Sequence, residues 1–263
     1  MNQPEPGDRD AEARQREYYN RIASGYDTHH FEPWALRCRT DAFDLLFRDE
    51  DLAGLSVLDA ACGGGENSVY FASRGVELTG IDVSDRQCEL YASRFPNHRV
   101  ARASITHTEL ADASFDLVLT NSLHHLHPHV NEAVTELTRV LKPHGRLMLW
   151  EPNSGSFLDT LRKIWYRLDR NYFEPGESSI DFDRLIHTHS ETLVEERRVY
   201  GGNLGHLFVM EAMIFRIPHR LMRLYAPACL RLDRIIRPLQ GPRLSCWALA
   251  LYQKRGTAPE PAT

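Results

Sequence analysis

The period of apolar positions changes along the chain, and each change marks an element. Val57 and Leu58 form a short apolar run that ends in Gly63-Gly64-Gly65, a buried strand entering a glycine turn. Asn67 to Arg74 carries Val69, Phe71 and Ala72 before Gly75, which predicts a helix with a glycine stop. Val76 to Ile81 alternates as a second strand and ends on Asp82. Ser84 with Gln87 three residues on reads as a capping box, opening a helix over 86–95 that Pro96 ends. Strands follow over 98–103, 115–120 and 146–150, the middle one apolar enough to be central. Between the last two, Val134, Leu137, Val140 and Leu141 have helical spacing over 131–141, and Lys142-Pro143-His144-Gly145 ends that helix.

Upstream, 11–27 predicts a helix and 31–49 a second one, rich in Leu and Phe, that caps the sheet edge. Downstream, 158–170 reads as a basic amphipathic helix, 171–183 as a loop and 193–200 as a sixth strand. Residues 204–236 are rich in Phe, Leu, Ile, Met and Arg and are broken at Pro218 and Pro227. In 245–254, Cys246, Ala248, Ala250 and Tyr252 alternate against Trp247, Leu249 and Leu251, a last strand. Residues 1–10 are expected to be a disordered tail and 256–263 a loose one.

At 263 residues the chain fits one α/β domain with insertions, and no repeat divides it. A net charge of −5 argues against nucleic acid as the main partner. Five scattered cysteines (38, 62, 88, 229 and 246) without paired spacing fit a reducing compartment. With no basic-then-apolar leader and no apolar run of membrane-spanning length, a soluble cytoplasmic protein is expected.

Strand, glycine turn, helix, strand and acidic tip together make a nucleotide-binding βαβ unit, with Asp82 placed for ribose hydroxyls. The spacing Gly63-x-Gly65-x-x-Ser68 is near the dinucleotide fingerprint, but a pyrophosphate needs helix-terminal N–H groups and no carboxylate beside them. Asp59 and Glu66 flank the glycines. They would repel a pyrophosphate and attract an ammonium, which points to S-adenosylmethionine rather than a nicotinamide dinucleotide.

The run Asp59-x-x-Cys62-Gly63-Gly64-Gly65 resembles the first motif of the class I S-adenosylmethionine-dependent methyltransferases, with Ala61 where that family usually has glycine. Ser114-Phe115-Asp116-Leu117-Val118, Leu123-His124-His125-Leu126 and Arg139-Val140-Leu141-Lys142-Pro143-His144-Gly145 match its later motifs in order, and the resemblance covers residues 15–152. It implies a Rossmann-like, mostly parallel seven-stranded α/β sheet of order 3-2-1-4-5-7-6 with strand seven antiparallel. One domain then spans 11–255: lid and cap helices over 11–50, a cofactor core over 55–152, substrate-side helices and an insertion over 153–244, and the last strand over 245–255. The cofactor positions are Tyr18 and Tyr26 on the lid, Asp59, Ala61, Cys62, Gly63 and Gly65 at the turn, Asp82, Val83, Ser104 and Ile105 around the adenosine, and Asn121 near the methionine amino group. Ser104 stands where the family places an acidic residue.

The expected reaction is methyl transfer to a small, rather apolar acceptor through oxygen, nitrogen or carbon. His124, His125 and Glu151 are the candidate bases for a hydroxyl acceptor. As neighbours in an extended segment, His124 and His125 are expected to point to opposite faces, so that only one meets the acceptor. No metal site is assigned, because no Cys or carboxylate completes a ligand set around these histidines. A non-methylating or cyclising protein on the same fold, a nicotinamide oxidoreductase, and methylation of a lipid-borne acceptor at a membrane surface are the alternatives. For residues 204–237, a pocket roof or core cover is preferred over contact with an anionic membrane, and the chain is expected to be a monomer or homodimer.

Overall fold

A computed structural model describes residues 6–168, 178–213 and 215–256. The chain opens with α1 (Pro6–His30) and α2 (Pro33–Phe47), whose first turn is capped by Glu32 accepting from Trp34 N at 2.7 Å. The helical pattern reaches back to Pro6, so residues 6–10 are the start of α1 rather than part of a tail. Expectations for residues 1–5, 169–177 and 257–263 lie outside the described residues.

The sheet then builds in the predicted sequence. It comprises β1 (Ser56–Ala60), α3 (Ser68–Ala72), β2 (Glu77–Asp82), α4 (Asp85–Arg94), β3 (Arg99–Arg102), β4 (Phe115–Thr120), α5 (Val130–Val140) and β5 (Leu141–Pro152). Ser84 caps α4 by accepting from Gln87 N at 3.1 Å, as the capping box requires. β5 begins five residues earlier than the pattern indicated. Its extra residues let Leu141 pair with Phe115 across a register shift, with His144 at φ 62° absorbing the irregularity.

After β5 come α6 (Phe157–Leu168), α7 (Phe182–Thr188) and β6 (Leu193–Gly201). α7 takes up the end of the expected loop and the residues after it. Asp181 caps it by accepting from Arg184 N at 3.0 Å, and Phe182 and Leu185 enter the core. The segment before the last strand holds a single wide turn, His206–Met210, closed by Glu211 N donating to His206 O at 2.8 Å, and α8 (His219–Ile236). α8 runs unbroken through Pro227, because Met222, Ala226 and Leu230 on one face are packed with Val209 and Ala212 and hold both halves in line. Two short turns, Arg237–Leu239 and Pro242–Leu244, lead into β7 (Trp247–Lys254).

The strand order is β3-β2-β1-β4-β5-β7-β6, with β7 antiparallel to both neighbours. Alternation in β7 divides the core as read from the sequence. Ala248, Ala250 and Tyr252 join one apolar cluster, and Trp247, Leu249 and Leu251 join the other, across the sheet. The parallel strands point their carboxyl ends to one edge, and α1 lies over it. Asn20 Oδ1 accepts from Ser84 Oγ at 2.7 Å beyond β2, and Gln15 Nε2 donates to His125 O at 3.1 Å beyond β4. That edge holds the site.

Candidate active site

Between the sheet edge and α1 lies a cavity of about 490 Å³, closed on the far side by α6 and the His206–Met210 turn. Its position outside the carboxyl ends of parallel strands, where the strand order reverses between β1 and β4, is the usual ligand crevice of such sheets. Of the sequence-derived positions, Tyr18, Tyr26, Ala61, Gly63, Asp82, Val83, Ser104, Ile105, Asn121, His124, His125 and Glu151 line it.

Three do not. The Asp59 carboxylate is wholly buried behind the turn, where Oδ2 accepts from Ser68 Oγ at 2.7 Å and Oδ1 has no hydrogen-bond partner. The Cys62 side chain packs with Tyr91 and Phe95 on the other side of the turn. Gly65 lies at φ 92°, and a Cβ there would stand 2.3 Å from the Phe95 ring, so backbone conformation and that ring's packing both call for glycine. Ala61 also needs reinterpretation. Its φ is 61°, so the residue differs from glycine in backbone strain and not in size alone.

At the β2 end, Asp82 is fixed on both oxygens: Oδ2 accepts from Gly63 N at 3.0 Å and Oδ1 from Ser84 N at 2.8 Å. Burial pushes its carboxyl up to about 6 against those bonds. Ser104 Oγ and Thr106 Oγ1 share a hydrogen bond of 2.9 Å, and Ile105 forms an apolar wall beside them.

Beside the glycine turn stands a cation that sequence reasoning missed. Arg39 is 2% exposed, donates to Asn67 Oδ1 at 2.7 Å, contacts His30 Nδ1 at 3.0 Å, and lies 3.7 Å from Glu66. Its Nε has no partner. Burial raises the Glu66 carboxyl and lowers the His30 imidazole well below its ordinary value, so His30 stays neutral beside the guanidinium. The available signal was an arginine inside the apolar stripe Ala35, Ala42, Phe43 and Leu46 of α2, where a cation needs a buried reason to be.

At the β4–β5 end, Glu151 is 1% exposed and accepts from Leu123 N at 2.8 Å and His124 N at 3.2 Å, while its Oε2 meets His124 Nδ1 at 2.7 Å. Burial pushes its carboxyl up to about 8 despite the two backbone donors. His124 and His125 do not diverge. They sit on a tight helical turn, Leu123–His125, with ring centroids 3.9 Å apart, and both reach the cavity. Strand alternation does not apply once the chain leaves β4. Tyr19 Oη lies 3.3 Å from His125 Nε2. The wall opposite is largely apolar, with Leu158, Leu161, Leu207, Met210 and Met213, joined by Arg162 paired to Asp159 and by His206, which burial lowers to about 3. Among the described residues, no cluster of three His, Cys, Asp or Glu side chains could hold a metal ion.

A family model described as a methyltransferase domain matches residues 57–145. The malonyl-[acyl-carrier protein] O-methyltransferase of Pseudescherichia vulneris is 32% identical over 187 residues, 71% of this chain and 68% of that protein. The magnesium-protoporphyrin O-methyltransferase of Rhodobacter capsulatus is 23% identical over 172 residues, 64% of this chain and 74% of that protein. A putative sarcosine dimethylglycine methyltransferase from Galdieria sulphuraria has the same fold, with a TM-score of 0.62 at 18% identity over 94% of this chain and 98% of that one. The methyltransferase family model covers the glycine turn and the first relative is a methyltransferase over two thirds of its length, which sets the nicotinamide reading aside. The chain belongs to the class I S-adenosylmethionine-dependent methyltransferases.

Proposed function

We propose that this methyltransferase O-methylates an apolar small molecule through a hydroxyl group, with His124 as general base and Glu151 as the residue that positions it. The 2.7 Å contact between His124 Nδ1 and Glu151 Oε2, facing a largely apolar wall of Leu158, Leu161, Leu207, Met210 and Met213 across the cavity, carries this reading. Glu151 engages Nδ1, so a proton leaving the acceptor is taken at Nε2. The Pseudescherichia and Rhodobacter relatives are both O-methyltransferases, in keeping with oxygen as the atom that attacks the methyl carbon.

The residues present fit S-adenosylmethionine. Asp82 can accept from ribose hydroxyls, Ile105 can flank the adenine, Arg39 with its unpartnered Nε suits the methionine carboxylate, and Glu66 suits the ammonium. When bound, the cofactor supplies a sulfonium that makes its methyl carbon electrophilic. The protein's remaining task is alignment, and holding reactants in line is worth an effective molarity on the order of 10⁵–10⁸ M. α1 excludes water from the site, tied down at Asn20, at Gln15 and by the Asp27–Arg94 ion pair at 3.0 Å.

Incubation with labelled S-adenosylmethionine and fractionated apolar extract tests the reading. Label should appear as a methyl ether on what was a hydroxyl of the acceptor, and His124→Gln should lower its formation roughly 10²–10⁴-fold. Label found only on carboxylates or amines would overturn the hydroxyl assignment.

A further inference from the structure

The segment that roofs the cavity also has an outer surface. On an α-helix advancing 100° per residue, Leu221, Leu224, Ala228, Leu232 and Ile235 of α8 fall within an arc of about 80°. Every one is exposed, Leu224 at 80% and Ile235 at 63%. The residues that dock α8 on the protein, Met222, Ala226 and Leu230, lie about 160° round the helix from that arc. α8 therefore has two apolar stripes, and only one is used by the fold. Leu239 and Leu244, 83% and 55% exposed, extend the second stripe over the two short turns. Those turns are tied to the segment that leads into α6, where Asn153 Nδ2 donates to Pro242 O at 2.6 Å. α6 has a stripe of the same kind in Phe157, Leu161 and Ile164, and Leu161 also lines the cavity.

Charge is equally biased. In a chain of net charge −5, residues 215–245 hold seven arginines, no lysine and one aspartate. That aspartate, Asp233, is used within the fold, accepting from Leu204 N at 2.9 Å and Gly205 N at 2.7 Å. Arg223 and Arg234 pair with Glu32 and Asp41 on the protein side. Arg220 and Arg231, at the edge of the exposed stripe, have no ion pair among the described residues.

We infer that α8, the turns after it and the exposed face of α6 form a peripheral docking surface for an anionic phospholipid membrane, which brings the cavity mouth at Leu161 to the lipid. Leucines on a convex helix face need a partner that accepts side chains without a matching groove, and acyl chains are such a partner. Guanidinium groups bordering them match phosphate, which they bind through paired N–H donors. A second copy of the chain would set one arginine-rich face against another, and among the described residues of that face the acidic groups, Asp159 and Asp233, are already used within the fold. No described helix is long and apolar enough to cross a membrane, so attachment is at the surface. The surface is independent of which acceptor is methylated.

Flotation of the full chain with vesicles tests this. Phosphatidylcholine vesicles containing phosphatidylglycerol should carry the protein, and phosphatidylcholine alone should carry roughly tenfold less. Leu224→Asp with Ile235→Asp should abolish flotation, and Arg220→Gln with Arg231→Gln should weaken it roughly tenfold. Each variant should keep its thermal stabilisation by S-adenosylhomocysteine, which shows that it is folded. Failure of the wild type to float on anionic vesicles would overturn the inference. So would equal flotation of the Leu224→Asp, Ile235→Asp variant, or a concentration-dependent dimer that this variant dissociates while vesicles stay empty.

Discussion

Glu151 Oε2 lies 2.7 Å from His124 Nδ1, in a carboxylate that also accepts from the backbone of Leu123 and His124. One buried acid thus fixes both the turn after β4 and the ring that the turn presents. The two residues are 27 apart in sequence and meet because β4 and β5 are parallel neighbours ending at the same edge.

With His124 as the proposed base, this pairing predicts the pH dependence. Burial raises Glu151 to about 8, so below that pH the pair already holds the proton that an acceptor would give up. Turnover on a hydroxyl acceptor should rise with pH through about 8 and level above it. His124→Gln should lower turnover roughly 10²–10⁴-fold and Glu151→Gln should flatten the profile, both with S-adenosylhomocysteine affinity within a few-fold of wild type. Rate–pH profiles of the three proteins check this.

Asp59 titrates in the opposite sense to a salt-bridged carboxylate. Burial raises it from 3.8 to about 7, so its contribution to stability is full below its unfolded value and is lost as pH rises to the folded one. Asp59→Asn should therefore melt progressively higher than wild type as pH goes from about 4 to about 7, with a constant difference above. S-adenosylhomocysteine affinity should change little, because the side chain does not reach the cavity. Melting curves across that range and one titration decide it.

Ala61 at φ 61° should cost about 1 kcal/mol relative to glycine. Ala61→Gly should raise stability by up to that amount in urea unfolding, less what the freer unfolded chain takes back.

Arg39 gives a test of the methionine end. Arg39→Lys keeps the charge but loses the planar fork. It should weaken S-adenosylhomocysteine roughly tenfold or more while sparing 5′-methylthioadenosine, which has no carboxylate, as charge-assisted hydrogen bonds of about 1.5–3 kcal/mol imply. Equal weakening of both ligands would place Arg39 in the fold's support and not in the site.

Much of this was legible in the chain. The strands, the Ser84 cap and the two-faced β7 follow from local periods and spacings, and the sheet order followed from the motifs. The lining of the cavity was legible where backbone turns carry it, at Gly63, Asp82 and Asn121. It was not where distant elements meet. Arg39 arrives from α2, and nothing near it in sequence says that Glu66 and Asn67 will surround it. The two histidines were placed by a strand rule carried past the end of β4, and the start of α7 fell under a loop reading because its cap, Asp181, lies near Pro175-Gly176.

The central claim is that the cavity holds S-adenosylmethionine with its ribose on Asp82. Calorimetric titration of S-adenosylhomocysteine into wild type and Asp82→Ala measures this directly. Saturable binding should be seen to wild type and should be weaker in Asp82→Ala by a few kcal/mol, as the loss of charge-assisted bonds of about 1.5–3 kcal/mol each predicts. No heat with wild type, or equal affinity in the variant, would contradict it.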